Sequence, residues 1–439
     1  MEEHVHIDWE ADRIGRDRII AIQEQRLKDL LIRGWKHVPF YQRIWKQYGF
    51  SPDQVKSFDH LDRIPFVTKK DISESMEKFP PFGDYQGDFP AVRVQASTGS
   101  TGKPKPIFHT RNDWDNIAAL WARRLRAHGI GSQDIVQIAF AYTLFIVGFT
   151  STEGLMKLGA MVVPTGSGAM TPSERQLQIA HDWGVTVFGC TGSYLLHLAE
   201  VAKQMGFEPR KDFNLRISFH TAEPLTSEMR KEIQEIWGCK AYDDYGSVET
   251  GAPTFECEVQ NGLHINEDAY LFEIIDPNTG KPVPDGAEGE LVVTTLFKES
   301  APFIRYRIGD ITSFMTDTCA CGRAFKRLKP VRGRVDDMIK VKGVAIYPLD
   351  FEPSIKKCGV FGSEYLVKVW KEGHQDRVKV LVEFAGPEED KEKSQELAVD
   401  LHKALGLRCE VETLSRGEIK RILGAEKRIK YQRLLDLRK

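Results

Sequence analysis

Between residues 13 and 47 the apolar positions Ile19, Ile20, Ile22, Leu27, Leu30 and Leu31 recur near one helical face, with charged residues between them. That spacing predicts an amphipathic helix. Val38-Pro39-Phe40-Tyr41 should break or kink it, because the residue before a proline disfavours the helical region. A second, short helical piece is predicted at 59–62, leading into Ile64-Pro65-Phe66-Val67-Thr68-Lys69-Lys70. From 112 to 300 the two periods alternate. Helices are predicted at 112–128, 152–158 and 173–181, and short apolar strands at 135–140, 161–164 and 185–188. Such a rhythm predicts a parallel sheet with crossover helices. The plainest strand is 289–296. The character changes near 333–343. Beyond it, strands are expected at 365–370 and 378–384, and helices at 390–405 and 426–437. The fold class is therefore α/β, with a large domain over 1–335 and a small α+β domain over 336–439.

A length of 439 residues supports this division, being too long for one ordinary core. Apolar residues at 41% and aromatic residues at 10% suit a globular protein. A net charge of −2 gives no global pull toward nucleic acid or an anionic membrane, and neither is expected as a partner. The longest apolar run falls short of a membrane span. The acidic first ten residues lack an apolar signal core, so a cytoplasmic protein is expected. Seven cysteines, an odd number, argue against a disulfide framework. Cys190, Cys239, Cys358 and Cys409 read as small buried apolar residues.

The densest chemistry lies in Ala96-Ser97-Thr98-Gly99-Ser100-Thr101-Gly102-Lys103-Pro104-Lys105. Alternation before it and Pro106-Ile107-Phe108-His109 after it place this loop between two hairpin strands. Glycines let a backbone approach a ligand closely, while hydroxyls, N–H groups and lysine suit phosphate oxygens. The spacing is not that of a Walker A loop: Ser97 stands where the first glycine would be, and Pro104 follows Lys103.

This loop resembles the phosphate-binding loop of the acyl-adenylate-forming superfamily. Further matches follow in order. Tyr245-Gly246-Ser247-Val248-Glu249-Thr250 is similar to its Tyr-Gly-x-x-Glu segment, and Arg305-Tyr306-Arg307-Ile308-Gly309-Asp310 to its Arg-Tyr-x-x-Gly-Asp segment. Gly333-Arg334-Val335-Asp336-Asp337-Met338-Ile339-Lys340-Val341-Lys342-Gly343 resembles its hinge. Val38-Pro39-Phe40-Tyr41, Ile64–Lys69, Ala222-Glu223-Pro224 and Gly262-Leu263-His264-Ile265 are similar to segments of the phenylacetate–coenzyme A ligase family.

The resemblance implies an ATP-dependent ligase that adenylates a phenylacetate- or benzoate-like acid and passes the acyl group to coenzyme A. The alternative is delivery to a carrier-protein thiol or another nucleophile. Ser97, Thr98, Gly99, Ser100, Thr101, Gly102 and Lys103 would hold the β,γ-phosphates. Glu249 would ligate Mg²⁺, a hard ion suited to carboxylate. Asp310 would accept from the ribose hydroxyls, and Arg334 would reach ribose or phosphate. Glu223, Asp244, Tyr245, Gly246 and Ser247 would surround the nucleotide. Phe140, Tyr142, Phe145 and Gly192 would line the acyl pocket. Asp336 would be the hinge of a mobile C-terminal lid. Leu414-Ser415-Arg416-Gly417-Glu418-Ile419-Lys420 aligns with a family pattern whose lysine bridges carboxylate and α-phosphate, which nominates Lys420; Ser415 and Ile419 depart from that pattern, and Lys427 competes. Relatives of this kind often form homodimers.

Cys257, His264, Cys319 and Cys321 make a full tetrahedral set for structural Zn²⁺ if their segments meet. Three reduced cysteines and an unrelated histidine are the other reading.

Overall fold

The computed structural model describes residues 4–97, 104–342, 344–373, 375–384, 391–423 and 433–438. The chain divides into two compact units: 1–308 with 313–330, and 309–312 with 331–439.

The larger unit is built on five strands, all parallel, in the order Met161–Val163, Ile135–Ile138, Val187–Gly189, Ile217–His220 and Lys240–Asp243. Helices Val147–Lys157, Ser173–Asp182, Gly192–Gln204 and Ser227–Trp237 connect them. This is the alternation read from the sequence. The central strands are apolar on both faces because helices cover both, and Val136, Ile138, Val187 and Phe219 are buried. Each such side chain stabilises the sheet by about 1.5–3 kcal/mol relative to exposure.

Two helices, Arg16–His37 and Pro39–Gln47, replace the single one of the N-terminal pattern. The break falls at Val38, held extended before its proline. The piece expected at 59–62 is a 3₁₀ turn, Phe58–Arg63. The hairpin Arg93–Ser97 and Lys105–His109 pairs Ser97 with Lys105, so the intervening loop springs from its closed end. Helix Arg111–Ala127 follows at once. Its Thr110 cap accepts from Asp113 N–H while Asp113 answers the cap backbone.

Strands Tyr270–Ile275 and Gly289–Thr295 pair antiparallel. Tyr306–Thr312 begins in the larger unit beside Val67–Thr68 and ends in the smaller, where Asp310 lies opposite Arg334. A small sheet of Thr254–Phe255, Leu263–Ile265 and Arg327–Leu328 completes the larger unit.

The smaller unit holds a four-stranded sheet in the order Glu410–Leu414, Gln375–Phe384, Phe361–Glu372, Leu434–Asp436, with helices Glu352–Lys357 and Lys391–Leu405. One expectation fails here. The helix expected over 426–437 ends instead in strand Leu434–Asp436, parallel to Val367–Val369. Leu434 is wholly buried beside Val367, and the open sheet edge outweighs a charge pattern that read as helical. Residues 424–432 of that stretch lie outside the described residues.

Candidate active site

The carboxyl ends of the five parallel strands lead directly into the candidate segments of the larger unit. Ile138 runs to Phe140, Gly189 to Gly192, His220 to Glu223, and Asp243 to the loop bearing Glu249. Open α/β sheets bind ligands at this end, where the backbone leaves the ladder and side chains turn outward.

Within the phosphate loop, Ser97 is described, and its buried Oγ has no hydrogen-bond partner among the described residues. Thr98, Gly99, Ser100, Thr101, Gly102 and Lys103 lie outside the described residues. Lys105, for which no separate role is expected from the motif, is buried at the base of this loop. Burial and the Lys69 ammonium pull its pKa down, and the Glu249 carboxylate pulls it up. Lys69 and Glu249, from two other segments, thus both lie within electrostatic reach of Lys105.

The Glu249 loop is tightly folded. Gly246 has no room for a side chain, since a Cβ there would lie 2.3 Å from the Gly251 carbonyl. Ser247 N–H donates to Thr250 Oγ1 at 3.2 Å and Gly251 N–H to Ser247 O at 2.8 Å. Tyr270 OH donates to Thr250 O. Glu249 and Tyr245 are half-exposed at the surface of this turn. Asp244 is placed differently from the sequence expectation of a pocket-lining side chain. Its carboxylate is wholly buried, 3.2 Å from Arg124 Nε and 3.4 Å from His128 Nε2, so only its backbone borders the loop surface. His128 in turn stacks on Tyr242, with ring centroids 4.4 Å apart.

Glu223 follows Ala222, whose φ of 74° is strained for a residue with a side chain. Its carboxylate accepts from Ser193 N–H at 2.6 Å and Ser193 Oγ at 3.0 Å, capping the helix that begins at Gly192. A Cβ at Gly192 would meet Met229 Sδ at 2.5 Å. This glycine therefore serves close packing of two helices. Phe140 is buried with its ring 6.3 Å from Phe219, Tyr142 OH lies 2.8 Å from Thr152 Oγ1, and Phe145 is half-buried.

In the smaller unit, Arg334 Nη1 donates to Asp310 Oδ1 at 2.7 Å across the paired strands. Asp336 is exposed in the turn that follows. The Lys420 backbone lies in helix Glu418–Ile422, its side chain is outside the description, and Lys427 falls wholly outside the described residues.

The structure brings Cys257, His264, Cys319 and Cys321 together, with all four ligand atoms within 4.8 Å of one another. Cys257 Sγ and Cys319 Sγ are 3.7 Å apart, and Cys321 Sγ lies 3.3 Å from His264 Nε2. Zn–S bonds of about 2.3 Å in a tetrahedron require sulfur atoms roughly 3.8 Å apart. His264 Nδ1 sits 3.2 Å from the Phe325 carbonyl, which fixes the tautomer that presents Nε2 inward. Burial lowers the pKa of His264 to about 4, keeping the ring neutral, as a ligand must be. Gly322, at φ 79°, makes the turn behind the Cys-x-Cys pair.

A parallel sheet whose carboxyl ends lead into a Tyr-Gly-x-x-Glu turn and an aromatic segment is the arrangement expected of an AMP-binding enzyme. The AMP-binding enzyme family model matches residues 88–296, and the model of the AMP-binding enzyme C-terminal domain matches 343–438. The phenylacetate–coenzyme A ligase of Aromatoleum evansii is 35% identical over 430 residues, covering 95% of each chain. That of Thermus thermophilus is 37% identical over 382 residues, 86% of this chain and 84% of the relative. A crystal structure of 2-hydroxyisobutyryl-CoA ligase in the postadenylation state superposes with a TM-score of 0.86 at 30% identity, over 97% of this chain and 91% of that one. The chain belongs to the phenylacetate–coenzyme A ligase family.

Proposed function

We propose that this enzyme joins an aromatic carboxylic acid, phenylacetate- or benzoate-like, to coenzyme A in two steps. The protein is an ATP-dependent, AMP-forming acid–thiol ligase. In the first step a carboxylate oxygen attacks the α-phosphate of ATP, the α–β phosphoanhydride bond breaks, and pyrophosphate leaves. In the second, the coenzyme A sulfur attacks the acyl carbon of the adenylate, loses its proton, and expels AMP. Both steps need positioning and charge stabilisation more than covalent help from the protein.

The residue assignment is supported by Lys105, which stands opposite Ser97 at the closed end of the hairpin and feels the charges of both Lys69 and Glu249. The two ammonium groups suit the β,γ-phosphates, with Ser97 at the loop's foot. Glu249 would hold Mg²⁺, which when bound neutralises charge on the phosphates. Tyr245 and the backbone around Asp244 border the adenine. Asp310 accepts from the ribose, while Arg334, already paired with it, orients that carboxylate. Lys420 supplies a cation at the α-phosphate, and Asp336 is the hinge of the lid domain. The four-residue thiol and imidazole cluster holds a structural, non-catalytic Zn²⁺. Phe140, Tyr142 and Phe145 favour an aromatic ring by apolar burial and stacking.

The test is pyrophosphate release from ATP and Mg²⁺ over a panel of phenylacetates, benzoates, hydroxylated and amino-substituted aryl acids, and 2-hydroxyisobutyrate, with and without coenzyme A. Aryl-dependent release with a coenzyme A thioester as product is expected. A thioester formed only on a carrier protein would overturn the acceptor, and turnover confined to 2-hydroxyisobutyrate would overturn the aryl reading.

A further inference from the structure

We propose that Arg124, from the last turn of helix Arg111–Ala127, is a positioning residue for adenylation: it clamps both ends of the loop that presents Glu249. The inference rests on the reading of Glu249 as the metal-holding carboxylate.

The Arg124 side chain is almost wholly buried. Its Nη2 donates to the Tyr245 carbonyl at 3.0 Å and to the Thr254 carbonyl at 2.7 Å, and Nε donates to Thr254 O at 2.9 Å. Tyr245 and Thr254 are the two ends of the Glu249 turn, so one guanidinium closes it. Thr254 Oγ1 reaches across to Tyr245 O at 3.2 Å and strengthens the closure. Beneath, the guanidinium carbon lies 4.3 Å from the Trp121 ring centroid, and Asp244 supplies the counter-charge at 3.2 Å.

Only a rigid planar fork donates to two carbonyls while facing a carboxylate. A lysine ammonium is a point charge on a flexible stem and cannot fix their separation. Loss of the fork would leave two buried carbonyls and a buried carboxylate short of partners. Between its ends the turn is held by its own bonds, Ser247 to Thr250 and Gly251, so it moves as a body when its base moves. Arg123 provides the control. It is equally buried on the same helix, but it binds Asp268, Asn266 and the Asp8 carbonyl and reaches the turn only at second hand, through the Asn266 amide that donates to Ala252 O at 3.0 Å.

The experiment compares wild type, Arg124→Lys, Arg123→Lys and Glu249→Gln in ATP–pyrophosphate exchange as a function of Mg²⁺, below the lowest melting temperature of the set. Arg124→Lys should raise the half-saturating Mg²⁺ concentration about tenfold and lower the maximal exchange rate, with the KM for the acid changed by less than about twofold. Arg123→Lys, which touches the turn only through Asn266, should shift the Mg²⁺ dependence by less than about twofold, whatever it costs in stability. If Arg124→Lys does not fold, Arg124→Gln, which keeps an amide donor for one carbonyl, is measured in its place with the same expectation. A Mg²⁺ dependence unmoved by Arg124→Lys but shifted by Glu249→Gln overturns the clamp and leaves the role of Glu249 standing. Equal shifts in Arg124→Lys and Arg123→Lys reduce the effect to general loosening and also overturn it. No shift in Glu249→Gln overturns the Glu249 reading itself, and the clamp with it.

Discussion

The segments bearing Glu249 and Lys420 are anchored by opposite charges. In the larger unit a buried cation, Arg124, donates to backbone carbonyls at both ends of a closed turn. In the smaller unit a buried anion, Glu383, accepts from the N–H groups of Gly417 at 2.9 Å and Ile419 at 2.7 Å, at the start of the short helix Glu418–Ile422. Gly417, at φ 87°, makes the turn that exposes those donors. The Ile419 side chain is buried against Leu366 and Leu381. Ile419, one of the two departures from the family pattern, is therefore an apolar peg. The difference has a consequence. A turn pinned at both ends fixes every group between them, whereas the short helix is held at its first turn.

The comparison breaks most sharply at Lys420. If this lysine acts only at the α-phosphate, Lys420→Ala should cut acid-dependent pyrophosphate exchange on the order of 10²–10³-fold, as loss of one aimed charge does elsewhere. Thioester formation from presynthesised acyl-adenylate should stay within about threefold of wild type. Should Lys427→Ala show that split and Lys420→Ala fail to, the role moves seven residues along the chain.

The second prediction asks what backs up the clamp in the larger unit. Thr254, whose carbonyl Arg124 holds, continues through Phe255 to Cys257, and Phe255 pairs with His264. The turn is thus continuous with the proposed zinc site. Purified protein should carry about one equivalent of zinc that survives brief chelation. Cys319→Ser should lose it and melt on the order of 10 °C lower, since a structural zinc contributes directly to folding. Metal analysis of the wild type that finds no zinc ends this account.

How much of this was readable in advance follows from where each residue's chemistry is expressed. Turn glycines, paired cysteines and exposed acids declare themselves, because loops accept few residue types. Strands 135–140 and 185–188 were legible for the related reason that a two-sided core demands unbroken apolar runs. The anchors were not legible. Arg123 and Arg124 stand in a helix whose alternation reads as one solvent-facing stripe, yet both are buried. Nothing in sequence spacing distinguishes a solvated arginine from one facing buried carbonyls. Glu383 ends a strand and Lys105 begins one, and both carry the polar residue expected at an edge. Asp243 and Asp244 are adjacent, and the pattern could not tell that both are buried: Asp244 faces Arg124 and His128, while burial with the neighbouring Glu256 raises the pKa of Asp243 well above its ordinary value. The C-terminal strand was missed because its partner, Val367–Val369, lies more than sixty residues away.

The smallest effect, invisible near neutrality, separates the two units by pH. His220 is wholly buried in the larger one, with Nδ1 2.9 Å from Cys190 O and Nε2 2.8 Å from Ser218 Oγ. Burial lowers its pKa from 6.5 to about 4. Burial, with Lys298 and Arg93 nearby, also holds His109 well below its ordinary value. The unfolded chain therefore takes up protons near pH 6.5 that the folded unit refuses until far lower. Stability is complete above that pH and falls as pH drops toward 4, by about 3 kcal/mol for His220 alone. The described histidine of the smaller unit, His402, is exposed. Seven of the eight tryptophans precede residue 331, and only Trp370 follows it, so tryptophan fluorescence reports mainly on the larger unit. Its urea midpoint should fall steadily between pH 7 and pH 4.5, and His220→Gln should flatten part of that fall. A wild-type midpoint constant over this range would mean that the buried rings are charged in the folded protein, and the neutral-core account of the larger unit would be wrong.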